Sequence, residues 1–528
     1  MKTNPNKLWI LVFALGWLFD FLFWKMKPGV NFAIFATACL VVAFYFLLSD
    51  GLRPNRASLI LLPLFGFFSA VTFIRAEPMT TFLAYTFTLL AMTLLAVTYL
   101  GGRWMQYTLA DYLGKSLQLV GSMIGRPITF MTEIRKEQAE AGIQPSKRNI
   151  WPVVRGIVIA LPIIAIFASL LASADVVFGQ RLEDLIKWFN IENLPELIFR
   201  FIYIIIIGYA LAGVVLHAAT ESKDENLATP IIPPFLGYVE ATIVLGSVVA
   251  LFTAFVIVQF QYFFGGTTNI HVDGYTYAEY ARRGFGELVT VAFFALLMLL
   301  TLSAITKRET ETQRRIFSGL GVTLVALLLV MLFSAFKRLG LYEEAYGFSR
   351  LRTYTHVFLI WLGLLLIVTI ALEILRKERM FTFAMLITSF GFAISLPILN
   401  VDAFIVNQNI QREVKAEAND STNLDAEYFL NLSDDAVPAL VSAYQTPSLA
   451  DSVREKIGAS LACINYNRGL DDRELSWQSF HFATLNADNA LASIKKDIKG
   501  YQITNTDYPV MVTTPAGEEF SCSTYYYD

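Results

Sequence analysis

The fold of this chain is decided where the stretch MFTFAMLITSFGFAISLPILN (380–400) gives way to VDAFIVNQNIQREVKAEANDSTNLD (401–425). The first stretch is the last of about eleven long apolar segments, and the 128 residues that follow it are polar and rich in Asp and Glu. A mean hydropathy of +0.53 with 16% charged residues is typical of a chain whose main solvent is a bilayer. We therefore expect a mainly α-helical, polytopic membrane protein with a small soluble α+β domain at its C-terminal end.

Each apolar segment is long enough to span a membrane, because about 20 residues at 1.5 Å per residue cross about 30 Å of hydrocarbon. The first segment has a basic start but no small-residue cleavage site after it, so we interpret it as an uncleaved signal anchor. The predicted spans are Leu8–Trp24, Gly29–Leu48, Ala57–Ile74, Met79–Leu100, Trp151–Ala174, Glu196–His217, Leu236–Phe264, Gly284–Ile305, Ile316–Ala335, Thr353–Leu375 and Met380–Asn400.

The spans divide the chain into four parts. Residues 1–100 form an N-terminal region of four transmembrane helices, 101–150 a loop, 151–400 the main core of about seven helices, and 401–528 an acidic domain. Within the loop, the stretch from Trp104 to Ile124 mixes polar residues with apolar ones at helical spacing, which predicts an amphipathic helix lying in the membrane interface. Its apolar positions are Leu109, Leu113, Leu117, Val120 and Ile124.

The distribution of Lys and Arg predicts the orientation. Roughly 19 of these residues lie on the N-terminal side of the spans and roughly 12 on the other side, leaving out 401–528. Cytoplasmic loops carry the excess of positive charge. We therefore expect the N-terminus and the 101–150 loop in the cytoplasm, and the C-terminal domain on the extracytoplasmic side of the membrane.

Ionisable and aromatic residues collect at the predicted outer ends of the spans. One interpretation is ordinary juxtamembrane charge, since long side chains reach the interface from there. The other is a binding or docking surface, because arginines beside aromatic rings hold anions and lipid head groups. This outer rim comprises Asp175, Glu279, Arg282, Arg283, Glu287, Lys337, Arg338, Tyr342, Glu343, Tyr346, Arg350, Arg352, His356 and Asp402.

Several runs of sequence resemble a known family. They are LLASAD (170–175), AEYARRGFGEL (278–288), RLGLYEEAYGFSRLR (338–352), NVDAFI (400–405) and YFLNLSDDAVPAL (428–440). Together they resemble the bacterial polytopic membrane family called domain of unknown function 4173, from about Trp151 to Leu440. That family has no agreed activity. The resemblance therefore implies a bacterial multi-pass membrane protein and assigns no catalytic residue.

The C-terminal domain is acidic. It carries 19 acidic and 9 basic residues, a net charge of −10, whereas residues 1–400 carry +7. This charge does not suit nucleic acid. It predicts that the domain docks on the basic residues of the outer rim, which are Arg282, Arg283, Lys337, Arg338, Arg350 and Arg352.

Local patterns predict the elements of this domain. Helices are expected from Ser433, over Ser448–Cys463 and over Trp477–Ile494, followed by a β-hairpin of 509–514 and 520–527. Cys463 and Cys522 form either a disulfide in an oxidising compartment or two free thiols.

No catalytic or cofactor motif is recognisable, so we expect no cofactor and no metal, and the pattern does not favour an enzyme. Three functions stay open. The first is an envelope sensor, regulator or assembly component that binds an envelope protein or an anionic or lipid ligand at the outer rim. The second is a transporter of small solutes or lipids. The third is a membrane enzyme that acts on a lipid-linked substrate. The sequence favours the first.

Overall fold

The computed structural model describes residues 5–140, 151–175, 177–182, 194–220, 222, 224, 233–264, 285–416, 424–470, 476–505 and 509–523. Before residue 400 the helices are α1 (Pro5–Phe23), α2 (Val30–Ser49), α3 (Leu61–Ile74), α4 (Pro78–Thr98), α5 (Leu109–Glu140), α6 (Trp151–Ala174), α7 (Leu194–Ala218), α8 (Tyr238–Phe264), α9 (Phe285–Ile305), α10 (Glu311–Tyr346), α11 (Arg350–Ile374) and α12 (Phe381–Leu399).

Every predicted span falls on one of these helices. Among the described residues, nine helices are long and apolar enough to cross a membrane by length and composition. The apolar helical stretch Ser58–Ile74 is shorter, and α6 is a helix of 24 residues. The mainly α-helical, membrane-type fold is therefore confirmed.

The chain folds as two units. The first comprises Met1–Leu59, Leu95–Gly101 and Lys115–Ser222, and the second comprises Ile60–Leu94, Gly102–Gly114 and Lys223–Asp528. The C-terminal domain thus belongs to the same unit as the helices α8–α12. These boundaries cut across the four-part division by sequence position.

In the first unit, α1 and α7 approach closely at glycines. A Cβ on Gly208 would lie 3.1 Å from the carbonyl oxygen of Val12, and one on Gly16 would lie 2.5 Å from that of Ile204. Small residues permit this approach between membrane helices, where van der Waals contact replaces the hydrophobic effect. The C-terminal half of α5 joins the same core through the buried Phe130.

The helix α5 is longer than the sequence predicted. It begins at Leu109, where Thr108 and Asp111 exchange hydrogen bonds of 2.9 and 3.3 Å, and it runs through Pro127 to Glu140. Reciprocal bonds of this type satisfy the free N–H groups of a first turn. An exposed apolar stripe follows the helix at spacings of three and four residues, formed by Leu109, Leu113, Leu117, Val120, Ile124, Ile128 and Met131.

We expect this stripe to enter the lipid interface. Single cysteines placed along 109–133 and labelled with a water-soluble maleimide should show low labelling at Leu113, Leu117 and Val120 and high labelling at Gln118 and Glu133. The labelling should follow a period of about 3.6 residues. Uniform labelling along the helix would contradict an interfacial position.

In the second unit, the core runs along α8–α12 and includes the fully buried Leu324 and Leu328. The helix α10 has 36 residues and extends beyond the predicted span at both ends. Its start is fixed by a capping box between Thr310 and Gln313, and it ends at Gly347, whose φ of +81° favours glycine. The run of apolar residues predicted the part of the helix that crosses the membrane. It could not predict the polar turns that extend the helix at both ends.

The C-terminal domain consists of α13 (Val401–Ala416), α14 (Val437–Tyr444), α15 (Asp451–Leu470), α16 (Phe482–Ser493), β1 (Gln502–Asn505), β2 (Met511–Thr513) and β3 (Glu519–Ser521). The strands form one antiparallel sheet in the order β1-β2-β3. The predicted hairpin corresponds to β2 and β3, and β1 was not predicted. A disulfide joins Cys463 of α15 to Cys522 beside β3.

Candidate functional site at the junction of spans and C-terminal domain

The turn between α3 and α4 holds a carboxylate of the C-terminal domain. Asp435 accepts hydrogen bonds from the backbone N–H groups of Ala76 and Glu77, at 2.7 and 3.0 Å, and its other oxygen pairs with Nη1 of Arg75 at 3.3 Å. Arg75 also donates to the carbonyl oxygen of Pro397 at the end of α12. One arginine therefore ties together two span ends and the domain.

A second carboxylate joins the domain to the start of α11. The guanidinium of Arg350 donates through Nε and Nη2 to Asp402, at 2.8 and 2.6 Å. Asp402 is fully buried and also accepts the backbone N–H of Ser433 at 2.7 Å. The backbone N–H of Arg350 donates to the hydroxyl of Tyr428 at 2.8 Å. This forked geometry is the strong form of an arginine–carboxylate pair.

The two ion pairs are linked by a third group. Glu77 is buried and caps the first turn of α4 through Thr80, and it accepts a hydrogen bond from the hydroxyl of Tyr354. Tyr354 lies one helical turn after Arg350. We call the connected set the junction network. Its members are Arg75, Glu77, Arg350, Tyr354, Asp402, Tyr428, Ser433 and Asp435.

The junction network is buried and polar. Asp435 is 5% exposed, and burial raises the pKa of its carboxyl above the ordinary value while the donors at Ala76 and Arg75 limit the rise. Burial also raises the pKa of Tyr428. Breaking one member of such a network leaves an uncompensated buried group, which costs far more than a surface ion pair. A shift of the domain is therefore coupled to α4 and α11.

Several outer-rim residues gather at the turn between α10 and α11. The ring of His356 contacts Glu343 at 2.8 Å and lies edge-on to Phe336. Glu343 is buried, whereas its neighbour Glu344 is exposed. The guanidinium of Arg352 covers the ring of Tyr342, 4.2 Å from the centroid, and the ring of Tyr346 lies 5.0 Å from that of Tyr342.

The helix α13 crosses this turn. Asn409 accepts the N–H of Phe348 at 2.7 Å and donates to its carbonyl oxygen at 2.9 Å. The rings of Phe348 and Phe404 meet edge to face. Both backbone polar groups of Phe348 are thus satisfied by the domain's first helix, which also places Arg412 beside Gly347.

The structure distributes the other rim residues over different surroundings. Glu287 and Arg338 line a cavity of about 380 Å³ among α8, α9 and α10, together with Gln259 and apolar side chains. Lys337 lies over the ring of Phe333. Asp175 belongs to the first unit, where it accepts the N–H of Phe178. Glu279, Arg282 and Arg283 lie outside the described residues.

Sequence reasoning named Arg350 and Asp402 but missed most of the junction network. Arg75 and Glu77 lie in a short connection between two predicted spans, and their charge in that position was the available signal. Ser433 and Asp435 lie in one of the runs that carry the family resemblance, and Arg350 and Asp402 lie in two others. Three of those runs meet at this one site.

The first unit has polar features of its own. Arg200 of α7 forms a forked pair with Asp20 of α1, at 2.9 and 2.5 Å, and stacks on Trp24. A cavity of about 610 Å³ is lined by Asp50, Arg126 and Glu133 among others. In the described ranges, no group of three or more His, Cys, Asp and Glu residues is placed to hold a metal ion.

A family model matches most of the chain. The domain of unknown function 4153 matches residues 62–443, so the chain belongs to that family. The resemblance had named family 4173, and this number is corrected. The match confirms a family of unknown function and extends to α3 and α4, which the recognised runs did not cover. No curated protein matches the chain, and no solved structure matches it.

Proposed function

We propose that this integral membrane protein is an envelope sensor, regulator or assembly component, whose extracytoplasmic C-terminal domain reports to the spans through the junction network. The observation that carries the proposal is the pair of buried carboxylates, Asp402 and Asp435, held by Arg350 and Arg75 at the ends of spans. A ligand that favours a shifted domain must break both pairs, so its binding energy acts on α4 and α11.

Contacts inside the second unit support alternating sides for the connections. The predicted outer connections at 75–77, 350 and 400–402 meet in the junction network. The predicted cytoplasmic ones contact each other as well. The rings of Trp104 and Phe383 pack edge to face. Glu311 forms an ion pair with Arg376. Leu236 and Thr306 form an isolated parallel β-bridge. The excess of Lys and Arg on one set of connections then assigns that set to the cytoplasmic side of a bacterial inner membrane, together with the N-terminus.

A transcription assay at equal membrane levels of protein tests this proposal, because it measures signalling independently of membrane insertion. In cells that lack the protein, the parent chain and an Arg75→Gln/Arg350→Gln variant are expressed at equal membrane levels, and envelope-stress transcription is measured. We expect the variant to shift the output several-fold in either direction, because the domain is uncoupled from α4 and α11.

An Arg315→Gln variant is the matched control, since this arginine is exposed and lies at the start of α10. Parental output from the double variant would contradict the proposal. Loss of solute flux, or accumulation of a lipid-linked substrate, would instead favour the other two functions.

One observation favours a transporter as the second candidate. The cavity among α8, α9 and α10 contains Glu287 and Arg338 near the outer ends of their helices. Charged side chains within membrane helices often mark a substrate or ion path. Solute flux into liposomes that contain the parent, but not a Glu287→Gln variant, would support this function.

A further inference from the structure

Two arginine side chains meet at one glycine in the turn between α10 and α11. Arg352 donates through Nη1 to the carbonyl oxygen of Gly347 and to that of Tyr346. On the other side, a Cβ added to Gly347 would lie 2.9 Å from Nη1 of Arg412. Glycine at 347 thus permits both the positive φ and the close approach of a second guanidinium.

Arg412 makes no hydrogen bond to any described residue. Its Nε and Nη1 are closed off from solvent and unpaired. Guanidinium groups donate five hydrogen bonds and stay charged, so an unpaired one is costly at a partly buried site. Nη2 is not among the closed-off atoms, so this nitrogen retains contact with solvent. Among the residues that the structure describes, Arg352 forms its hydrogen bonds through Nη1 alone.

The protein holds Arg412 in this position. Asn409, three residues earlier on α13, is fixed by its two hydrogen bonds to Phe348. Burial lowers the pKa of Arg412, the charge of Arg352 acts in the same direction, and Glu413 acts against them. Asp402, ten residues earlier on α13, is engaged by Arg350. Two like charges therefore share one turn, and Glu413 offsets part of their charge. An anion bound between the two guanidinium groups would stabilise this arrangement.

The site lies at the meeting ends of two helices that are long and apolar enough to span a membrane. It occupies the end of α10 and the start of α11. Tyr346 is 55% exposed and Leu351 is 74% exposed beside it, so apolar surface adjoins the charge. Aromatic residues at such positions mark the interface between hydrocarbon and water.

We propose that Arg352 and Arg412 bind the phosphate group of an anionic phospholipid at the turn formed by Gly347. Phosphate oxygens accept the forked donors of guanidinium groups, and the lipid tail would cover the exposed Tyr346 and Leu351. The stacking of Arg352 on Tyr342 orients the guanidinium before the lipid arrives. This site adds a ligand to the outer rim and does not depend on a role in sensing.

Native mass spectrometry of the full chain tests this site, with detergent-solubilised protein titrated with phosphatidylglycerol, phosphatidylcholine or inorganic phosphate. We expect phosphatidylglycerol to bind the parent, and an Arg352→Gln/Arg412→Gln variant to bind it about tenfold or more weakly, because each charged hydrogen bond contributes about 1.5–3 kcal/mol. Phosphatidylcholine should bind less well, since its choline cation would approach two arginines.

The matched control is Lys415→Gln, which removes one positive charge from an exposed position on the same helix and should keep parental binding. Disulfide formation between Cys463 and Cys522 verifies that each variant folds. Equal binding of phosphatidylglycerol by the parent and the double variant would overturn the proposal. Displacement of the lipid by millimolar inorganic phosphate would also overturn it, because the ligand would then be a soluble anion.

Discussion

An Asp402→Ala substitution is expected to destabilise the attachment of the C-terminal domain by about 3–5 kcal/mol, since it leaves the partly buried guanidinium of Arg350 without its partner. The side chain of Asp402 is fully buried and that of Arg350 is 22% exposed. The backbone N–H of Ser433 loses its acceptor at the same time. Thermal unfolding and limited proteolysis of the purified full chain would measure the effect, and the domain should be cleaved at lower temperature than in the parent.

Asp451→Ala is the matched control on the same domain. That carboxylate is 98% exposed and lies 3.8 Å from Arg454, so its loss should change stability by no more than about 1 kcal/mol. A double-mutant cycle adds a sharper criterion. Asp402→Asn with Arg350→Gln should cost less than the sum of the single changes, because no uncompensated charge remains. Strictly additive effects would mean that the pair does not hold the domain.

The sequence predicted the spans well because a run of about 20 apolar residues is by itself enough to indicate a segment that lies in the bilayer. The ends of α10 and α5 were not predicted, since they depend on caps at Thr310 and Thr108 and on contacts that continue a helix outside the hydrocarbon. The strand β1 was missed because its partner β2 supplies the pairing. Features that depend on the local sequence pattern could therefore be predicted. Features that depend on contacts with a neighbouring element could not.

The candidate site divides in the same way. Arg350 and Asp402 were named because charge at a span end is visible in one sequence, but their pairing was not. Asp435 and Arg75 are 360 residues apart, and no spacing rule connects residues at that separation. The opposite net charges of the C-terminal domain and of residues 1–400 predicted that the domain docks on basic residues, but not which residues would pair. The arrangement of α13 across the 347–349 turn, which leaves Arg412 unpaired, follows from packing alone.

A Cys463→Ala/Cys522→Ala variant is expected to lose about 4 kcal/mol of domain stability, because the bridge closes a loop between residues 59 positions apart. The bridge joins α15 to the end of the sheet, and both cysteines are buried in the domain core. The sheet has only three short strands, so its position depends strongly on this link. Hydrogen exchange in 502–505 and 511–513 should rise well above that of the parent.

The same cysteines report the side of the membrane. If the domain is extracytoplasmic, the disulfide forms in cells, and denatured protein labels with maleimide only at Cys39 until a reductant is added. A phosphatase reporter fused after Asp528 should then be active. Cys39→Ala, in the span α2, is the matched control, and it should abolish labelling without altering exchange in the sheet. Two thiols that stay reduced in cells, with an inactive phosphatase, would place the domain in the cytoplasm and reverse the proposed orientation.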